Sequence, residues 1–141
     1  MTKLVDEIQS NQGFIDSLNF DNQRIIGQYF SDTIFSDCHF TNIDFENCTF
    51  EDCTFFKCTF IESSIVNCQF IECGFHAKVR FIRLSAQNSI FKGCLFNATT
   101  FSDSVLSHSQ FSNFTRFYCC NFNELALNYC QLNSVNFTET S

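Results

Sequence analysis

The sequence has no proline and no tryptophan, and only four of its 141 residues are glycine. Hairpins and β-sandwiches use proline and glycine in their turns, so the scarcity of both gives such folds little support. No apolar run approaches the roughly 18 residues of a membrane span, so we expect no membrane association. The opening MTKLVDEIQS has acidic residues where a signal peptide would have its apolar core, which predicts a cytoplasmic protein.

What the chain has instead is phenylalanine, 21 residues of it, in a five-residue repeat. From Ser36 the sequence reads SDCHF, TNIDF, ENCTF, EDCTF, FKCTF, IESSI, VNCQF, IECGF. We call the large apolar residue that ends each block the centre, and the residue two before it the partner. Centres recur every five residues from Phe20 to Phe75, gain one residue before Phe81 and another before Phe117, and end at Phe137.

A period of five fits neither an α-helix at 3.6 nor a β-strand at 2. Each block must therefore complete one geometrical unit, with two side chains inward and three outward. In this respect the sequence resembles the pentapeptide-repeat family, in its variant rich in cysteine and phenylalanine. The resemblance implies an all-β fold, a right-handed quadrilateral β-helix in which four pentapeptides make one coil.

A coil of four units can be tested inside the sequence, because residues 20 apart, or 21 across an extra residue, should then stack. Eighteen of the 24 centres are Phe, and five of the six others fall into one column, Ile25-Phe45-Ile65-Ala86-Leu106-Leu127. We therefore predict about six coils with three aromatic faces and one aliphatic face. Residues 1–13 are predicted to form an N-terminal cap helix, and residues 14–141 the solenoid.

Two groups of outward residues are candidate partner-binding sites. The first is an acidic column 20 residues apart, Asp32, Asp52 and Glu72, with Glu51 beside it. It is either a solubilising face or a surface that imitates a phosphate backbone. The second surrounds the first extra residue and holds His76, Lys78 and Arg80. It is either a bulge with solvated charges or a contact site for an acidic partner.

We predict no catalytic residue, no cofactor and no metal site. The ten cysteines follow the repeat rather than a zinc-ligand spacing, and the three histidines follow no ligand pattern. Reduced thiols are expected in the cytoplasm, whereas a secretion signal without a compositional mark would favour disulfides. Most outward charges in residues 1–75 are acidic, with 12 acids against 3 bases, so we expect no direct nucleic-acid binding.

These observations predict a non-enzymatic, protein-binding solenoid with an acidic face and an unknown protein partner. The family resemblance adds an alternative, because some pentapeptide-repeat proteins imitate DNA and bind DNA gyrase, protecting it from quinolones or toxins. The repeats continue almost to the end of the sequence with no visible cap. We therefore predict a homodimer through the last coil, with Leu127, Leu132 and Phe137 at the interface.

Overall fold

Each five-residue unit folds as a three-residue strand followed by a two-residue corner. In the unit around Phe55, the strand is Thr54–Phe56, and only its middle side chain points into the core. This follows from the strand geometry, in which successive side chains alternate between the two faces. The computed structural model describes residues 3–11 and 13–141.

The corners are made by a left-handed residue two positions after each centre. Asp52 (φ 53°) and Asn67 (φ 54°) are examples, and the position is rich in Asn and Asp, which tolerate this conformation best after glycine. The two extra residues lie at corners, where Lys78 follows Ala77 and Phe114 follows Asn113 as a second left-handed residue. The insertions therefore lengthen a corner and leave the strands in register.

Four columns of parallel strands form the four faces, numbered in chain order. Face 1 consists of β1 (Phe14–Asp16), β5 (Ile34–Ser36), β9 (Thr54–Phe56), β13 (Gly74–His76), β17 (Leu95–Asn97), β20 (Arg116–Tyr118) and β23 (Asn136–Thr138). Face 4 consists of β4 (Tyr29–Ser31), β8 (Thr49–Glu51), β12 (Gln69–Ile71), β16 (Ile90–Lys92), β19 (Gln110–Ser112) and β22 (Gln131–Leu132).

Faces 2 and 3 share two longer strands that continue around a corner, β18 (Thr100–Ser107) and β21 (Asn121–Asn128). Face 2 also has β2 (Asn19–Asp21), β6 (His39–Thr41), β10 (Thr59–Ile61) and β14 (Arg80–Ile82). Face 3 also has β3 (Arg24–Ile26), β7 (Asp44–Glu46), β11 (Ser64–Val66) and β15 (Ser85–Gln87). The fold is the predicted four-sided parallel β-solenoid of about six coils.

The core consists of phenylalanine ladders in the predicted register. On face 1, Phe55 stacks between Phe35 and Phe75 with ring centroids 4.9 and 5.0 Å away and planes within 6°. The aliphatic column on face 3 is confirmed by the pairing of Ile65 with Ala86. The repeat begins one unit earlier than predicted, because Ile15 is buried and pairs with Phe35.

The partner residues line the inside of the corners and pair buried backbone groups. The Cys58 thiol donates to the carbonyl of Phe35 at 3.3 Å, and other buried cysteines repeat this contact. Where the partner is a hydroxyl residue it also accepts. Thr115 Oγ1 accepts from the Cys94 N–H at 3.1 Å and donates to the Phe91 carbonyl at 3.2 Å. All ten cysteines are free thiols, and Cys119 is exposed.

Helix α1 (Lys3–Ser10) packs on the first coil and buries Leu4 and Val5. The predicted cap spans residues 1–13, of which 1, 2 and 12 lie outside the described residues. At the other end Leu132 and Phe137 are 44% and 46% exposed, so the last coil leaves apolar side chains in solvent. No helix in the described chain has the length and apolarity needed to cross a bilayer.

Candidate protein-binding surface

Asp32, Asp52 and Glu72, which we call the acidic row, lie one above the other at the corner between faces 4 and 1. All three are exposed left-handed residues with φ of 52° to 54°. Consecutive coils are about 4.8 Å apart, so the row stacks three carboxylates along about 10 Å. Within residues 3–11 and 13–141 their side chains make no hydrogen bond or salt bridge. The predicted column therefore exists, and its charge is not neutralised.

Glu51 is positioned differently from the row. It is the last residue of β8 on face 4, where it accepts a hydrogen bond from the hydroxyl of Tyr29, one coil below. This hydrogen bond, together with the negative charge, raises the pKa of Tyr29. Glu51 is thus held by the rod's own surface, while Asp32, Asp52 and Glu72 are free to pair with another molecule.

Other corners show how this fold neutralises outward charge when the sequence allows it. At the corner between faces 2 and 3, Arg83 binds Glu62 of the preceding coil at 2.9 Å. Arg24 binds Glu46 at 2.7 Å on face 3. Like charges on neighbouring strands destabilise a sheet, and opposite charges relieve this. The acidic row lacks such relief within the described residues.

The basic segment does not form one patch. His76 ends β13 on face 1, Lys78 occupies the lengthened corner, and Arg80 begins β14 on face 2. Within these five residues the corner takes the chain from face 1 to face 2. His76 therefore lies on face 1, whose opposite edge is bordered by the acidic row. Arg80 lies on face 2.

The imidazole of His76 lies over Gly74. A Cβ atom at position 74 would fall 2.3 Å from His76 Nε2, so only glycine admits this placement. His76 also stands beside Phe56 in the strand register. Burial lowers the pKa of His76, which favours a neutral ring near physiological pH. The residue therefore adds to an uncharged surface on face 1 rather than to a basic one.

Face 1 carries an apolar stripe that the sequence analysis missed. Phe14, Ile34, Phe56 and Tyr118 are 54%, 42%, 38% and 36% exposed, and half-buried Leu95 lies between them. Phe14 and Phe56 were set aside because they are off the repeat. The signal that could have found them is their position next to a centre of the same column, since such residues point outward on one face.

The predicted end residues lie together on the last coil. Leu132 and Phe137 are exposed, and Leu127 is half-buried. One coil earlier the corresponding Phe117 is only 4% exposed. The difference arises because no further coil covers the last rings in the described chain.

The described residues offer little that could support chemistry. His39, His76 and His108 lie on face 2, face 1 and the corner between faces 3 and 4, so no two share a site. No group of three potential metal ligands occurs among residues 3–11 and 13–141. The interior is filled by side chains, with a cavity of about 10 Å³ between the phenylalanine ladders.

Comparisons with known proteins agree with this architecture. The family model for pentapeptide repeats in nine copies matches residues 35–77. The crystal structure of Rfr23, a pentapeptide-repeat protein from the cyanobacterium Cyanothece 51142, superposes with a TM-score of 0.66 at 6% identity and covers 97% of both chains. No curated protein matches the sequence.

Two further solved structures match with lower scores. A trypsin-treated form of QnrB1, a plasmid-mediated fluoroquinolone resistance protein, has 17% identity and a TM-score of 0.26, with 85% of this chain and 92% of that chain covered. HetL, a pentapeptide-repeat protein involved in heterocyst differentiation regulation in Nostoc sp. strain PCC 7120, has 7% identity and a TM-score of 0.27, covering 100% and 94%. Such scores do not establish a common shape. The repeat, the family model over residues 35–77 and the Rfr23 superposition agree that this chain contains pentapeptide repeats and has the fold of a pentapeptide-repeat protein.

Proposed function

We propose that the protein is a non-enzymatic scaffold that binds a partner protein through the acidic row. The observation that supports this most is that the carboxylates of Asp32, Asp52 and Glu72 make no hydrogen bond or salt bridge in the described chain. Three stacked carboxylates raise the energy of the free rod, and cationic groups of a partner would lower it. Their negative field would also speed the encounter with such a partner.

The test is a comparison of captured proteins by wild type and by a variant with Asp32→Asn, Asp52→Asn and Glu72→Gln. A matched control changes the same number of charges at the diagonally opposite corner, with Glu62→Gln, Asp103→Asn and Glu124→Gln. We expect a defined protein to be lost from the first variant and kept by the control. Equal capture by all three proteins would contradict the proposal.

A second candidate function is imitation of DNA toward a type II topoisomerase such as DNA gyrase. The observation that favours it is that the acidic row carries regularly spaced carboxylates along the rod axis and that their charge is not neutralised within the described residues. Gyrase supercoiling measured with increasing protein, with and without a quinolone, tests it directly. Inhibition or drug protection that disappears on neutralising the row would support it, and neither effect at micromolar protein would contradict it.

We also propose that the open last coil pairs with a second copy in the cytoplasm. The exposed Leu132 and Phe137 and the unpaired strand edges of this coil support a two-fold contact. Light scattering should give about twice the chain mass of 16.3 kDa, and Leu132→Lys should lower it. A single-chain mass at high concentration would contradict the dimer.

A further inference from the structure

Face 1 is the side of the rod with the most continuous exposed apolar surface. Its stripe of Phe14, Ile34, Phe56, Leu95 and Tyr118 runs along the rod axis over neighbouring coils, with His76 between Phe56 and Leu95. On face 3, by contrast, the two exposed apolar side chains, Ile26 and Val105, are separated by the coils of Glu46, Val66 and Gln87. Apolar stripes bordered by charge are typical of protein interaction sites.

The backbone of face 1 restricts the conformation of anything that binds there. Its strands pair without interruption in the order β1-β5-β9-β13-β17-β20-β23. Each inner strand is hydrogen-bonded to a neighbouring strand on both sides, so an extended peptide lying on the face could not join the sheet as a further strand. A helix satisfies its backbone internally and presents side chains alone. Face 1 therefore favours a helical partner segment.

The two borders of face 1 differ in charge. The corner with face 4 carries the unneutralised acidic row. The corner with face 2 carries charges of both signs, with Asp37, Lys57 and Lys78. A helix lying along the stripe thus meets a purely acidic border on one side only. Charge complementarity therefore favours cationic side chains on the flank of the helix next to the acidic row. It favours neither sign of charge on the opposite flank.

We propose that face 1 is the docking surface for an amphipathic helix of a partner protein, with an apolar stripe on Ile34, Phe56 and Leu95 and a Lys- or Arg-rich flank on the acidic row. This rests on the proposed function and specifies its partner. From Ile34 to Tyr118 the stripe crosses four coil steps, about 19 Å at 4.8 Å each. A helix rises about 1.5 Å per residue, so roughly 13 residues would cover it.

The probe is a synthetic 14-residue helical peptide with a leucine stripe and one lysine flank, carrying a fluorophore for anisotropy. One control peptide has glutamate in place of the lysines, and a second has glutamine in place of the leucines. We expect the probe to bind wild type and both control peptides to bind at least about tenfold more weakly. Binding should also weaken as salt is raised.

Variants of the protein locate the site. Phe56→Glu should weaken probe binding by at least about tenfold. The matched control Val105→Glu, which changes a similarly exposed residue on face 3 (41% against 38%), should change it less than about twofold. Neutralising the acidic row should weaken binding on the order of tenfold, since each exposed pair contributes modestly. Ile34→Gln provides a second face 1 variant if Phe56→Glu alters the circular dichroism spectrum.

The outcomes separate this inference from the proposed function. No probe binding, or binding that Phe56→Glu and Ile34→Gln leave unchanged, overturns face 1 as the docking surface. If a captured partner is lost on neutralising the row but kept by Phe56→Glu and Ile34→Gln, the proposed function stands and the helix-docking inference fails. If capture responds to neither change, both fail. Loss of the same partner in both variants supports both.

Discussion

Two adjacent phenylalanines on β9 provide the sharpest test of the five-residue register. Phe55 is 2% exposed and points into the core, whereas Phe56 is 38% exposed on face 1. The changes Phe55→Ala and Phe56→Ala remove the same atoms one residue apart. Because a strand alternates its side chains, a register error of one residue would exchange their roles.

The expected magnitudes follow from the contacts. Truncating a buried phenylalanine to alanine in a packed core typically costs about 3–5 kcal/mol of stability. Phe55 also loses parallel stacking with Phe35 and Phe75, each worth roughly 0.5–1.5 kcal/mol beyond area. We expect Phe55→Ala to lower the free energy of unfolding by about 4–5 kcal/mol. Phe56→Ala loses only partial burial and a Lys57 contact at 5.2 Å, so we expect about 1 kcal/mol or less.

Guanidinium unfolding followed by circular dichroism measures the free energy of unfolding of both variants. An unchanged dependence of this free energy on guanidinium concentration ensures that the same transition is compared. Since coils contact only their neighbours, hydrogen exchange should show the loss of protection centred on β5, β9 and β13. Equal losses for the two variants, or a larger loss for Phe56→Ala, would refute the register on which every outward residue is placed.

Three further predictions concern single side chains. Cys119 should be alkylated before the buried thiols because it is exposed. Its hydrogen bond to Glu139 raises its pKa, so the rate should rise with pH and Glu139→Gln should speed the reaction, as read by intact mass. Thr115→Val should lower the free energy of unfolding by about 1–3 kcal/mol, because the Cys94 N–H loses its partner, whereas Thr115→Ser should cost less. Glu72→Asn should raise it by roughly 1 kcal/mol, because asparagine suits a left-handed corner and removes one charge from the acidic row.

Each of these has a contrary result. Uniform alkylation of the ten thiols under native conditions would mean that the core opens readily. A Thr115→Val protein as stable as Thr115→Ser would show that the buried N–H finds another acceptor. A Glu72→Asn protein less stable than wild type would mean that the Glu72 side chain makes a contact that compensates for its backbone conformation.

The core could be predicted almost completely from the sequence, because it depends on two facts. Large apolar residues recur every five positions, and the non-aromatic ones sort into one column only if four units close a coil. Both extra residues, before Phe81 and Phe117, were also located, because they shift the period permanently. Their placement at corners needed the structure, since the sequence shows that one residue is added but not which backbone angles absorb it.

The surface was predicted less well, for a different physical reason. A column assigns a residue to a corner or a face, but it does not say which way a long side chain turns. Glu51 and Asp52 are neighbours in sequence, yet Tyr29 draws one onto face 4 while the other remains free. His76 and Arg80 are only four residues apart and lie on different faces. The apolar stripe of face 1 was missed because Phe14 and Phe56 looked like exceptions to a pattern that describes only the core.

The composition of the acidic row bears on whether it serves a function. Asp32 and Asp52 occupy left-handed corners, where aspartate is a favoured residue, so the backbone alone can account for them. Glutamate has no such preference, and Glu72 has no compensating partner in the described chain, unlike Glu62 with its Arg83. Natural sequences keep locally unfavourable choices most often at functional sites. If Glu72→Asn stabilises the rod and also weakens partner capture, Glu72 lowers the stability of the protein but contributes to binding. Binding, rather than folding, then accounts for a glutamate at this corner.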